Sequence, residues 1–191
     1  SYGVKAKALI LGEGITSRGE KRDVKKFEKE LMVHKSNIKN ACKHIGYSKL
    51  ATYDFPDNRF DGVELLDIIK VVEKEIREFS PTIIFTHHHG DLNIDHQKTY
   101  EAVLTAIRPL KGQKVETLLT FETPSSTEWQ ASNSRDVFLP NLFVEVSKQN
   151  LNAKTKAMDC YKFERRVAPH PRSNASLISR AQYWGMVSGC E

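Results

Sequence analysis

Thr82-Ile83-Ile84-Phe85-Thr86 is an uninterrupted run of β-branched and aromatic residues near the middle of the chain. It lacks the alternation of polar and apolar positions that is typical of a strand with one face in water. Such a run indicates a strand of a parallel sheet that is covered on both faces. The segment therefore predicts an α/β fold.

Further strands and helices are predicted on both sides of this segment, and they alternate along the chain. The first helix runs from about Arg22 to a C-capping glycine, Gly46, and the last helix starts near Ser173. Asp61 and Glu64 have the spacing of a capping box at the start of another helix. The alternation predicts a largely parallel sheet, in which functional sites form at the C-terminal ends of strands. The other predicted strands are 4–11, 50–53, 115–121 and 142–146.

The composition is that of a globular protein rather than a membrane-spanning or nucleic-acid-binding one. Hydrophobic residues make up 39% of the 191 positions, and no apolar run approaches the ~20 residues of a membrane span. This length fits a single domain, residues 1–191. The net charge of +5 comes from basic residues interleaved with acids, without the interleaved aromatics of a single-strand binder. Nucleic acid is therefore not an expected partner.

The cysteines indicate the compartment. Cys42, Cys160 and Cys190 are odd in number, widely spaced and free of any Cys-x-x-Cys pair. This pattern predicts neither a disulfide framework nor a thiolate zinc site. A reducing cytoplasm is the expected location.

The segment His87–His96, with the sequence HHHGDLNIDH, directly follows the predicted buried strand. One interpretation is a solvated polar loop, because neighbouring side chains at the end of a strand point to opposite faces. The other places Asp95 and His96 at the start of a helix, where His96 offers an imidazole to zinc and Asp95 orients a neighbouring group. A catalytic zinc site typically needs three protein ligands and an open position for water. The residues by themselves give an incomplete metal site.

The same segment resembles a motif of the LmbE-like de-N-acetylases, the family that includes N-acetylglucosaminylphosphatidylinositol de-N-acetylase. The resemblance extends over nearly the whole chain, in the order of the family's segments. The segments that carry it are Gly12–Arg18, Asp57–Asp61, Thr86–His96, Pro140–Val144 and Pro169–Ser173.

The resemblance implies a Rossmann-like sheet, a catalytic zinc or another divalent metal, and hydrolysis of an N-acetyl group on an amino sugar or glycoconjugate. His96 matches the family's C-terminal metal-binding histidine, and Asp95 matches a residue beside it in the catalytic site. Asn93 stands where other members have a histidine. We therefore assign the polarising or proton-donating role to His170, with His88 as the alternative.

The expected substrate-binding residues lie in the segments that resemble the family. A guanidinium in these loops can hold a sugar hydroxyl, a phosphate or a carboxylate, although ion pairing with a nearby acid is the alternative. Beyond the N-acetylated substrate, the resemblance is compatible with a homo-oligomer. The residues assigned to substrate binding are Arg18, Arg59, His88, Asp91, Asn93 and Arg172.

One feature of the family is missing from this sequence. The family's first motif, Ala-His-Pro-Asp-Asp-Glu, supplies two metal ligands and the general base, and the sequence does not contain it. We expect the chain to be a deacetylase domain that lacks its first strand and first metal motif. The alternative is a catalytically inactive carbohydrate-binding or scaffold protein of the same fold.

The missing motif leads to a prediction for the chain as it stands. Since His96 is the one metal ligand that the resemblance matches, the 191-residue chain should bind zinc weakly and release no acetate. A calorimetric zinc titration followed by an acetate-release assay tests this. Tight stoichiometric binding with turnover would mean that residues of this chain replace the missing ligands.

Overall fold

The computed structural model describes residues 3–131 and 135–190 and has a mixed α/β architecture, with parallel strands flanked by helices. This confirms the predicted fold class. The helices and strands, in chain order, are β1 Lys7–Gly12, α1 Glu28–Ile45, β2 Lys49–Phe55, α2 Leu65–Phe79, β3 Ile83–His87, α3 Ile94–Ala106, β4 Thr117–Phe121, α4 Lys148–Cys160 and α5 Asn174–Ser188.

The described strands form two pairs, β1 with β2 and β3 with β4. The β3–β4 pair is parallel, and its register places Ile83 opposite Thr117 and His87 opposite Phe121. The β1–β2 pair is also parallel, because backbone hydrogen bonds join Ser48 to Ala6 at one end and Glu13 to Phe55 at the other. Parallel strands bring their C-terminal ends to the same edge, and this sets the position of the loops that follow them.

The chain divides into two compact units. Unit 1 contains the described residues of 3–10, 23–52 and 139–190, and unit 2 contains those of 11–22 and 53–138. The single domain that the length of the chain predicts stays a prediction.

Unit 1 is organised around α1, which packs against α4, while α4 also contacts α5. The predicted C-cap is confirmed, since Gly46 has a φ of 88° and its N–H donates to the Cys42 carbonyl. The helix begins later than predicted, at Glu28 rather than near Arg22. The reason is local: the Asp23 carboxylate accepts the Lys26 N–H at 2.9 Å and holds that stretch as turns. Ser173 caps α5 as predicted.

The predicted strand 142–146 is wrong, because this stretch has no regular structure. Val144 and Val146 are 72% and 50% exposed. Their β-branched side chains favour a strand only where a neighbouring strand and a packed face are present. Neither is supplied by the part of the chain that the structure describes.

Unit 2 has its core between α2, α3 and the inner face of β3. Ile68, Val72 and Ala102 are at most 2% exposed. The predicted capping box is wrong: Glu64 is the N-cap of α2 and makes no side-chain cap bond, because Phe60–Gly62 forms a 3-10 turn that includes Asp61.

The outer face of β3 differs from the sequence-based expectation of a strand covered on both faces. Ile83 and Phe85 are 51% and 65% exposed, whereas Thr86 is 3% exposed. Side chains alternate between the two faces of a strand, and α3 packs against β3 in the described chain. The apolar run therefore specified the strand but not the covering of both its faces.

The core of unit 2 yields a stability prediction. Ile68 on α2 is fully buried, so Ile68→Ala should lower the free energy of unfolding by about 2–5 kcal/mol through lost apolar contacts and a cavity. Leu66 lies on the same helix and is 56% exposed, so Leu66→Ala is the matched control, with a change within roughly 0.5 kcal/mol. Urea denaturation of the three proteins measures both effects. Equal losses in the two variants would contradict the placement of this core.

Candidate active site

The candidate site lies in unit 2, at the C-terminal end of β3 and the start of α3. Asn93 is the N-cap of α3, and its side-chain oxygen accepts the backbone N–H groups of Asp95 at 2.8 Å and His96 at 3.4 Å. Asn93 satisfies donors that the first turn of a helix leaves unpaired. The histidine-rich segment thus follows the strand and places His96 in the first turn of a helix, as the sequence predicts.

Asp91 is the centre of this site, and its side chain is fully buried. One carboxylate oxygen accepts from the His96 Nδ1 at 2.9 Å and from the Asn93 backbone N–H at 2.9 Å. The same oxygen also accepts from the Ser126 hydroxyl, and the second oxygen accepts from the Thr127 hydroxyl at 2.7 Å. Donors of the described chain therefore surround a carboxylate that has no contact with solvent.

The hydrogen-bond donors around Asp91 determine whether its carboxyl group is ionised. Burial raises the pKa of the Asp91 carboxyl, but the hydrogen bonds from the imidazole and the two hydroxyls outweigh it, and the pKa lies far below its usual value. Asp91 is ionised at neutral pH. An ionised carboxylate only accepts, so the His96 Nδ1 must carry the shared proton.

His87 lies against the other side of this pair. Its ring stacks on the His96 ring, with centroids 4.1 Å apart and an interplanar angle of 11°. Burial, and after it the neighbouring His96, lower the pKa of His87 to about 3, although Asp91 acts in the opposite direction. His87 is therefore a neutral ring, and its buried Nδ1 has no hydrogen-bond partner among the described residues.

Asp95, which the sequence suggests orients a neighbouring group, contacts the backbone of the loop after β2. Its two oxygens accept the backbone N–H groups of Asn58 at 2.7 Å and Phe60 at 3.0 Å. Burial raises the pKa of Asp95, although these two amides act in the opposite direction. Asp95 holds the loop after β2 against α3, whereas Asp91 is the carboxylate that orients the imidazole.

A chain of polar side chains extends from this loop to the first turn of unit 2. The Asn93 amide donates to the Asn58 side-chain oxygen at 2.8 Å, and the Asn58 amide donates to the Ser17 hydroxyl at 3.1 Å. Ser17 in turn donates to Asp57 at 2.6 Å. These groups provide exposed hydroxyl, amide and carboxylate atoms next to the first turn of α3.

His88 and His89 are directed to a different part of unit 2. Their Nε2 atoms donate to the carbonyl oxygens of Asp136 at 2.9 Å and Arg135 at 3.0 Å. His88 is only 5% exposed, so its ring anchors the segment 135–138. Its predicted contact with substrate stays a prediction.

Arg18 and Arg59, both predicted to bind substrate, lie on the surface of unit 2. A third arginine is held more firmly: Arg22 forms two hydrogen bonds of 2.8 Å with the buried carboxylate of Glu13. Burial raises the pKa of Glu13, but the Arg22 and Thr16 hydrogen bonds bring it below its usual value. Arg22 therefore stabilises the turn after β1, and the substrate contacts of Arg18 and Arg59 stay predictions.

His170 and Arg172 belong to unit 1. The Arg172 backbone N–H donates to the His170 Nδ1 at 3.1 Å. The Arg172 guanidinium forms an ion pair with Glu164, which is the alternative that the sequence left open. The catalytic role of His170 and the substrate contact of Arg172 stay predictions.

Two residues of the site were missed by the sequence analysis. Ser126 and Thr127 lie about 35 positions from Asp91 in the chain and lack any motif that would signal a contact with it. A polar loop after β4 was visible, but serine and threonine are common in loops for reasons of turn geometry alone. The contact of these two residues with Asp91 becomes evident only from the structure, in which β3 pairs with β4.

The resemblance implies a bound metal, so the question is whether the side chains near His96 could coordinate one. Across residues 3–131 and 135–190, no group of three or more His, Cys, Asp or Glu side chains is arranged to hold a metal ion. His96 by itself fits the role of one ligand. Its Nδ1 is engaged by a carboxylate, which is the arrangement that leaves the Nε2 lone pair of a metal-binding histidine available.

Comparison with known proteins adds the following findings. Residues 1–107 match the model of the PIG-L family, described as GlcNAc-PI de-N-acetylase. The conserved protein TT1542 from Thermus thermophilus has a similar structure, with a TM-score of 0.66 and 19% identity, over 99% of this chain and 79% of that one. This identity supports a likeness of fold alone. No curated protein matches the chain. Among the described helices, none has the length and apolar character needed to cross a bilayer.

The packing of the histidine-rich loop yields a second stability prediction. A Cβ added to Gly90 would lie 2.5 Å from the Asp136 carbonyl oxygen, so Gly90→Ala should cost about 1–3 kcal/mol and displace the segment that His88 anchors. Gly62 has open space around the same position, which makes Gly62→Ala the matched control. Thermal unfolding and amide hydrogen exchange at Asp136 measure the two changes. An unchanged exchange rate in Gly90→Ala would show that the loop and the segment do not pack together.

Proposed function

The chain belongs to the PIG-L family of GlcNAc-PI de-N-acetylases, and from this membership we propose that it is a metal-dependent hydrolase that removes an N-acetyl group from an amino sugar or glycoconjugate. The family indicates a deacetylase or a related hydrolase. The finer proposal concerns the zinc ion, or another divalent metal, and the amino-sugar substrate.

The observation that carries the proposal is the Asp91–His96 pair at the end of β3. His96 lies in the first turn of α3, its ring is 21% exposed, and its Nδ1 donates to a fully buried carboxylate. A neutral histidine held in this way has its proton on Nδ1 and a free lone pair on Nε2. That is the state a catalytic metal requires of an imidazole ligand.

We assign His96 as the residue that holds the metal. A bound divalent ion polarises the acetyl carbonyl and lowers the pKa of water at the site. The chain's own contribution is to hold the proton of the imidazole ligand on Nδ1 and to fix the orientation of the ring. Asp91 accepts a hydrogen bond from the Nδ1–H of His96, and the neutral ring of His87 restrains the plane of the His96 ring.

The other residues of the loop hold this geometry. Asn93 caps α3 and so fixes the direction of its first turn. Asp95 ties that turn to the backbone of the loop that contains Asn58. We therefore propose that the catalytic role of Asp95 is to position this turn. A substrate contact of Asn93 would use its side-chain NH2 group, because its side-chain oxygen caps the helix.

Arg18 and Arg59 are proposed to bind the substrate. Both are exposed, and a guanidinium can hold a phosphate or vicinal sugar hydroxyls with paired donors. The Ser17 and Asn58 side chains supply further polar groups of the kind that sugar hydroxyls bind. A phosphorylated or glycosylated amino sugar is the substrate class that such groups favour. His170, as a proton donor, and Arg172, as a substrate contact, belong to unit 1, and their roles are separate proposals.

The test is an acetate-release assay with N-acetylglucosamine and its glycoconjugates in the presence of zinc. It uses the chain and, where its gene encodes residues upstream of Ser1, the extended protein. In the form that is active, His96→Ala should lower kcat/KM by roughly two orders of magnitude or more, because a metal ligand is lost.

The matched control is His89→Ala, which removes an exposed histidine of the same loop and should leave turnover nearly unchanged. Unchanged turnover in His96→Ala would refute the ligand assignment. Sugar binding without acetate release in every form would favour the inactive carbohydrate-binding protein over the enzyme.

A further inference from the structure

We propose that Asp91 is a positioning residue that sets the tautomer of His96, and that the Ser126 and Thr127 hydroxyls are the residues that hold Asp91 in place. The consequence for catalysis rests on the proposed function. The positioning itself is a property of this chain and can be measured without a substrate.

The first step of the argument is the direction of each hydrogen bond. Every described contact to the Asp91 carboxylate comes from a donor: one imidazole nitrogen, one backbone amide and two hydroxyls. The side chain is 0% exposed, so water does not compete for these positions. With an acceptor-only group fixed beside Nδ1, the neutral His96 ring carries its proton there and leaves Nε2 bare.

The second step concerns what fixes the carboxylate. The Thr127 hydroxyl oxygen accepts the Thr123 backbone N–H at 2.7 Å, so its own proton is directed to Asp91. Backbone hydrogen bonds from Ser126 and Thr127 to the Thr123 carbonyl, at 3.2 and 3.0 Å, hold the turn itself. The Glu128 carboxylate accepts the Ser126 N–H at 3.3 Å and restrains the turn further. The hydroxyls are thus presented by a closed turn rather than by a free loop.

The third step concerns the ring. Asp91 restrains one edge of the His96 imidazole, and the stacked His87 ring restrains its face at 4.1 Å. These two contacts act on different degrees of freedom, since one fixes the rotation of the ring in its plane and the other fixes the plane. The orientation of the ring, and with it the direction of the Nε2 lone pair, is thereby fixed by contacts within the chain.

This role differs from the substrate contact that the sequence suggested for Asp91. All the described donor contacts of its carboxylate are made within the protein, and no part of the side chain reaches the surface. Loss of a carboxylate behind a metal-binding histidine commonly weakens metal affinity by about 10–100-fold. We expect a loss of this size for Asp91→Ala.

The experiment measures the His96 tautomer by long-range ¹H–¹⁵N correlation of the histidine rings in the metal-free 191-residue chain, at a pH where the ring is neutral. The wild-type chain should show the Nδ1–H form. Asp91→Ala should shift His96 toward the Nε2–H form, and it should bind zinc about 10–100-fold more weakly in a competition titration.

A second pair of variants covers the case in which Asp91→Ala does not fold. Ser126→Ala combined with Thr127→Val keeps the carboxylate but frees it to rotate, so His96 should show both tautomers. Thr123→Val is the matched control, because its hydroxyl lies in the same loop, is buried and has no hydrogen-bond partner in the described chain. It should leave the ring spectrum unchanged.

The outcomes separate the two proposals. A His96 tautomer that is unchanged in Asp91→Ala, or in the double variant if the first does not fold, overturns the positioning role. An altered tautomer with weaker zinc binding supports the positioning role whether or not this chain releases acetate. The proposed hydrolase activity is refuted separately, if neither the 191-residue chain nor an extended form releases acetate.

Discussion

The buried carboxylate of Asp91 is the interaction on which the candidate site depends. Taking an ionised carboxylate out of water costs on the order of several kcal/mol unless donors replace its hydration. Here the replacements come from separate places in the chain: the ring of His96 on α3, a backbone amide of the preceding loop, and two hydroxyls from the turn after β4. A single charge therefore fixes three segments relative to one another, because each must remain in place for the charge to stay satisfied.

The parallel pairing of β3 and β4 makes this arrangement available. The register places His87 opposite Phe121, so both strands end at the same level and their loops leave the sheet side by side. An antiparallel pair joined by a short hairpin would send these loops to opposite edges. The hydroxyls of the second loop then lie within reach of the acid in the first. The same edge carries the helix that presents His96, which is why one site can draw on all three segments.

The sequence singled out His96 and Asp95 together, and the structure gives their side chains different partners. His96 was expected to hold a metal, and Asp95 to orient a neighbouring group that the sequence did not identify. Consecutive residues on a helix do not face each other, so Asp95 points to the backbone of the loop after β2 instead. The acid that does reach the imidazole lies five positions earlier, in a loop whose path follows from the Asn93 cap and the turn at Gly90. The path of such a loop cannot be predicted from the spacing of residues in the sequence.

What the sequence determined by itself was local: the apolar run 82–86 specifies a strand, and Gly46 and Ser173 specify where helices end and begin, because their backbone or side-chain chemistry acts within a few residues. The segments that resemble the family likewise predicted the family to which the chain belongs. What only the tertiary structure decided was every feature that needs a distant partner. The stretch 142–146 has the composition of a strand, but no strand lies beside it in the described chain. On one face of β3 the side chain of Phe85 is exposed to solvent. Ser126 and Thr127 gained their role in the same way, since a hydroxyl becomes part of a site when folding places a buried charge within hydrogen-bond distance of it.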